Sequence, residues 1–134
     1  MLNKIDHIGI AVKSIEETGK FYELLTGEKI SEPEFIADQK LKAAFVEVGE
    51  SKLELLESTD PDSTIAKFID RRGEGIQHIA FYVDNIEEKL QYLKDQGVRL
   101  INEKPRKGAG GKKIAFIHPK SSYGTLIELC EKND

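Results

Sequence analysis

Cysteine is all but missing from this 134-residue chain: Cys130 stands alone, no internal disulfide can form, and a reducing cytosol suits it best. Basic residues are not in surplus either. The net charge of −4 excludes a general affinity for nucleic acid or anionic membrane, so any anion must be held locally. No apolar run approaches the length that spans a bilayer, and the N-terminus lacks the basic start and apolar core of a secretion signal. A cytoplasmic protein is the expectation. Length allows one compact domain, or two halves too small to be stable separately that share one core.

What the chain does hold is a repeat. Lys4-Ile-Asp-His-Ile-Gly-Ile-Ala-Val12 returns as Gly75-Ile-Gln-His-Ile-Ala-Phe-Tyr-Val83, a slide of 71 positions (78 − 7). Over Ile5 to Glu17 seven of thirteen residues match, where ordinary residue frequencies give roughly one. Leu53-Glu-Leu-Leu-Glu57 is echoed by Ile127-Glu-Leu-Cys-Glu131 at a shift of 74 (128 − 54), which places a three-residue insertion in a loop of the second half.

Alternation in Ile5 to Val12 predicts a strand with Ile8, Ile10 and Val12 on one face and His7, Gly9 and Ala11 on the other. The second copy puts Ile79, Phe81 and Val83 opposite His78 and Ala80. Ser14-Ile-Glu-Glu17 has the spacing of a capping box, Ile15, Phe21, Tyr22, Leu24 and Leu25 predict the apolar stripe of a helix, and Gly27 its stop. Asn85 to Gly97 predicts the equivalent second helix. Strands follow at Leu41 to Val48 and Lys52 to Glu57, and again at Lys113 to Ile117 and Thr125 to Glu131, with short ones near Lys29 to Ser31 and Arg99 to Ile101. The class is α+β: one domain over 1–134, with β-α-β-β-β modules at 1–58 and 74–134 and a helical connector at 59–73.

Four polar residues recur on the non-greasy faces. Glu54 lies between Leu53 and Leu55, and Glu128 between Ile127 and Leu129, so each carboxylate points away from the apolar side as His7 and His78 do. A lone strand histidine is most often plain hydrogen-bonded structure. A carboxylate among leucines is odder, because burying it unpaired is costly. Repeated together in a curled mixed sheet, His7, Glu54, His78 and Glu128 point to one site for a divalent cation such as Zn²⁺, Mn²⁺, Co²⁺, Ni²⁺ or Fe²⁺.

These segments, with Asp62-Ser-Thr-Ile-Ala-Lys67, Gly110-Gly-Lys112, Phe116-Ile-His-Pro-Lys120 and Gly124-Thr-Leu-Ile-Glu-Leu129, resemble the vicinal oxygen chelate superfamily of glyoxalase-like fold, and within it the methylmalonyl-CoA epimerases. The resemblance implies a single divalent ion on His7, Glu54, His78 and Glu128. It also implies an acyl-CoA substrate, a homodimer and proton transfer at the α-carbon through a metal-stabilised enolate. Glu128 is the implied proton-transfer base, with Glu54 or water on the other face. Two departures stand out: some relatives have glutamine where this chain has Glu54, and the extra carboxylate that some carry near Lys42 is missing from Lys42-Ala43-Ala44.

Lys112, Lys113, His118 and Lys120 form a basic cluster among glycines, suited to the substrate carboxylate or the coenzyme A phosphates; its bland alternative is a solvated hairpin. The rival activities are a glyoxalase I type lactoylglutathione lyase, which needs the same metal, and an extradiol dioxygenase, for which a fourth ligand is superfluous. A non-catalytic small-molecule binding protein of the same fold needs no metal ligands at all.

Overall fold

The computed structural model describes residues 2–131, so the outermost module limits fall outside the described residues. Its elements are β1 (Leu2–Ala11), α1 (Ile15–Thr26), β2 (Glu34–Ile36), β3 (Leu41–Val48), β4 (Ser51–Ser58), α2 (Thr64–Arg72), β5 (Gly75–Val83), α3 (Ile86–Asp95), β6 (Arg106–Lys107), β7 (Lys113–Ile117) and β8 (Ile127–Glu131). The class is α+β, and the order β-α-β-β-β occurs twice around the connector helix α2. Two compact units contain these elements: His7–Gln77, and Met1–Asp6 together with His78–Asp134. Strand β1 therefore contributes to both.

In the first unit the strands run β2-β3-β4-β1. β1 lies parallel to β4 with Ile8 beside Leu53 and Ile10 beside Leu55, which stacks the apolar alternation of both strands on one face. That face meets α1, giving a core of Ile10, Val12, Ile15, Ala44 and Leu55 with Tyr22 and Ile30 packed around it. The second unit repeats the plan as β1-β5-β8-β7-β6, with β5 parallel to β8. Its core is Val83, Ile86, Leu90, Ala115, Ile117 and Leu129. Each helix starts where its sequence says: Ser14 Oγ accepts from Glu17 N, and Asn85 Oδ1 from Glu88 N.

Two expectations needed correction. Of the α1 stripe, Ile15 is buried, whereas Phe21, Leu24 and Leu25 are exposed. The packed face is instead Ile15, Gly19 and Tyr22, at helical spacing. Gly19 approaches Ile30 so closely that a Cβ there would sit 3.3 Å from Ile30 Cδ1. The short strands are also displaced, to Glu34–Ile36 and Arg106–Lys107. Ser31 N donates to the carbonyl of Phe45 while Phe45 N donates to the Ser31 side-chain Oγ rather than to backbone, and Leu100 makes an isolated bridge to Ile117. Pro33 and Pro105 follow, and neither has an N–H to continue a ladder.

Candidate metal centre and active site

In the first unit His7 and Glu54 meet. Parallel register places Gly9 beside Glu54, while antiparallel register places Phe45 across from it, so the carboxylate sits between a residue without a side chain and an aromatic ring. Glu54 Oε1 lies 3.2 Å from His7 Nε2. The imidazole stands edge-on to Phe45, with centroids 6.1 Å apart and planes at 83°. The second unit builds the same couple: Glu128 has Ala80 beside it and Phe116 opposite, its Oε1 is 3.2 Å from His78 Nε2, and His78 meets Phe116 at 5.7 Å and 87°. All four polar side chains are dry, His7 and His78 each 3% exposed, Glu54 5% and Glu128 4%.

The donor set suits a divalent ion. Imidazole nitrogen and carboxylate oxygen are both ligand atoms for such ions, and 3.2 Å is close to the separation of two donors that share one metal with bonds of about 2.1 Å. The T-shaped contacts hold each ring plane, so the nitrogen that faces the glutamate has a fixed direction.

Phe45 and Phe116 went unremarked as site residues in the sequence. The signal that finds them is the repeat itself, since 116 − 45 is again 71. The shift of 71 therefore persists through β3 and β7, and the three-residue insertion falls between Phe116 and Glu128, in the β7–β8 connection where β3 and β4 have only a tight turn at Gly49 and Glu50.

The basic cluster is less uniform. Lys112 Nζ turns inward to Asp6 Oδ2 at 3.0 Å, in a pair whose side chains are 15% and 8% exposed. Lys113 bridges Glu87 on α3 at 3.2 Å and Glu131 on β8 at 3.9 Å. His118 uses Nδ1 to accept from the backbone of Lys120, whose own side chain is exposed. Beyond these, Cys130 is fully buried beside Ala80 and Ile114, and burial, followed by the charges of Asp6 and Glu128, pushes its thiol pKa far up. It is therefore no nucleophile.

Residues 6–116 match the model of the Glyoxalase/Bleomycin resistance protein/Dioxygenase superfamily. The chain is 47% identical over 130 residues to the uncharacterized protein YqjC of Bacillus subtilis, covering 97% of this chain and 93% of that one. It is 36% identical over 129 residues to the mitochondrial methylmalonyl-CoA epimerase of Homo sapiens, covering 96% and 73%. Among solved structures, a variant of Streptomyces coelicolor methylmalonyl-CoA epimerase in complex with 2-nitronate-propionyl-CoA superposes with a TM-score of 0.94 at 36% identity, covering 98% and 96%. The chain belongs to the Glyoxalase/Bleomycin resistance protein/Dioxygenase superfamily and, within it, to the family of the methylmalonyl-CoA epimerases.

Proposed function

We propose that this protein epimerises methylmalonyl-CoA, and that His7, Glu54, His78 and Glu128 jointly hold one divalent ion at the site of reaction. The observation that carries the reading is the pair of equivalent, dry histidine–glutamate couples in a chain whose near-full-length relatives bear that activity in their names. When bound, the ion supplies Lewis-acid stabilisation of negative charge on the thioester oxygen. A nitronate carries the planar, delocalised charge of an enolate, so the ligand of the Streptomyces enzyme suits the same chemistry.

The chain's own residues move the proton. Glu128 takes it from the carbon between thioester and carboxylate and becomes the acid; the C–H electron pair passes into the enolate, a proton returns to the opposite face from a Glu54 that starts protonated or from water, and exchange of Glu128 with solvent resets the site. His78 and Phe116 orient Glu128, and His7 and Phe45 do the same for Glu54. Lys120, with Lys113 and His118 nearby in sequence, is left to meet the anionic groups of the substrate, while Lys112 secures its loop through Asp6.

Solvent deuterium exchange at the α-carbon tests the base assignment. Glu128→Gln, with metal content confirmed, should lower exchange by about 10²-fold or more; wild-type exchange would remove Glu128 from the mechanism. Incubation with a single stereoisomer of methylmalonyl-CoA, and separately with methylglyoxal plus glutathione, should give turnover only in the first. The protein is further expected to pair as a homodimer, since Phe21, Leu24 and Leu25 on α1 and Phe35 on β2 are exposed. A monomer at every concentration in sedimentation equilibrium would contradict this.

A further inference from the structure

The two histidine–glutamate couples are not flanked alike. Counting back two residues from Glu54 reaches Lys52, and the same step from Glu128 reaches Leu126. Strand register makes the positions equivalent, because Leu53 stands beside Ile8 as Ile127 stands beside Ile79, each one residue further along its strand. Histidine, glutamate and phenylalanine are kept in both copies. A lysine in one and a leucine in the other is therefore a change of charge inside a duplicated frame.

The first unit fixes where that charge goes. Parallel register sets Lys52 beside His7, one strand spacing or roughly 5 Å away, and period-two alternation puts its side chain on the face that carries Glu54. Its Nζ lies 5.4 Å from the centroid of Phe45, the ring that meets the His7 imidazole edge-on. Among the described residues no carboxylate comes within ion-pair distance of it; Glu47, directly across on β3, is exposed and does not close on it. Lys42, on the same hairpin, has Glu57 at 3.4 Å. Lys52 is thus a half-buried ammonium held over an aromatic face beside the couple, with its N–H donors unspent.

The chemistry of the substrate asks for such a group. Methylmalonyl-CoA carries a free carboxylate on the same carbon as its thioester carbonyl, and bringing that anion into a dry site that already holds Glu54 and Glu128 is costly unless a cation answers it. A plain acyl thioester has no such need. We propose that Lys52 receives the free carboxylate of the substrate, which makes it the residue that selects carboxylated acyl thioesters over neutral ones and sets the carboxylate on the His7 side. The assignment rests on the acyl-CoA reading above. Leu126, at the equivalent place, offers nothing to an anion, so the carboxylate has one preferred end.

Calorimetric titration of the metal-loaded full chain with racemic methylmalonyl-CoA, and with propionyl-CoA, which lacks only the carboxylate, tests the assignment. Relative to wild type, Lys52→Met should raise the Kd for methylmalonyl-CoA about tenfold or more and leave that for propionyl-CoA unchanged. Lys52→Arg, which keeps the charge, should retain the preference for the carboxylated ligand. Lys20→Gln on α1 is the control and should match wild type. An unchanged Kd for methylmalonyl-CoA in Lys52→Met, an equal loss for both ligands, or a wild-type protein with no preference between them overturns the assignment. α-Deuterium exchange, measured in parallel, judges the epimerase reading separately: a wild-type protein that shows the preference and its loss in Lys52→Met but no exchange supports the role of Lys52 and contradicts the activity.

Discussion

A carboxylate buried in a strand between two apolar neighbours survives only if something answers its charge. Glu54 has His7, Glu128 has His78, and Asp6 has Lys112. The last pair has the clearest energetic consequence, because Lys112→Met removes the ammonium that faces the Asp6 carboxylate at 3.0 Å. Urea unfolding should show a loss of about 3–5 kcal/mol; a loss under 1 kcal/mol would mean that the pair is solvated and the loop held by other contacts. The histidines and glutamates were legible in the sequence because period-two alternation sets polar residues apart from greasy ones. Lys112 was not: a lysine in a glycine-rich stretch reads as solvent-facing until the chain brings Asp6, 106 residues away, alongside it. Phe45 and Phe116 were hidden for the opposite reason, since an aromatic residue in a strand reads as ordinary core.

Among the elements, each module fastens its own helix to its own last strand. Glu57 Oε1 accepts from Ile15 N at 2.8 Å, and Glu131 Oε1 from Ile86 N at 2.7 Å, so a carboxylate from β4 or β8 caps the first N–H of α1 or α3. Glu131→Ala should cost about 1 kcal/mol and lower Tm by roughly 4 °C in a thermal melt; an unchanged Tm would show that Asn85 alone suffices as cap. Helix limits could be read from the sequence because Ser14, Asn85 and Gly27 are local signals. The packed face of α1 could not, because Phe21, Leu24 and Leu25 outnumber the buried Ile15 and Gly19, and a glycine registers as a contact only once Ile30 is seen against it. The two short strands were misplaced because their pairing depends on where Pro33 and Pro105 interrupt the ladder rather than on any pattern of their own.

At the level of the whole molecule, duplication is the organising fact. His7/His78, Phe45/Phe116 and Ile15/Ile86 all keep the shift of 71, whereas Glu54/Glu128 and Glu57/Glu131 keep 74, so one insertion in the β7–β8 connection accounts for both. Two copies of a site-building module admit two stoichiometries: one ion per couple, or one ion shared by both. The proposed chemistry needs the shared ion. Elemental analysis of metal-reconstituted protein should find one divalent ion per chain in the wild type and almost none in either His7→Ala or His78→Ala. Two ions per chain, or one ion retained when a single histidine is removed, would contradict it.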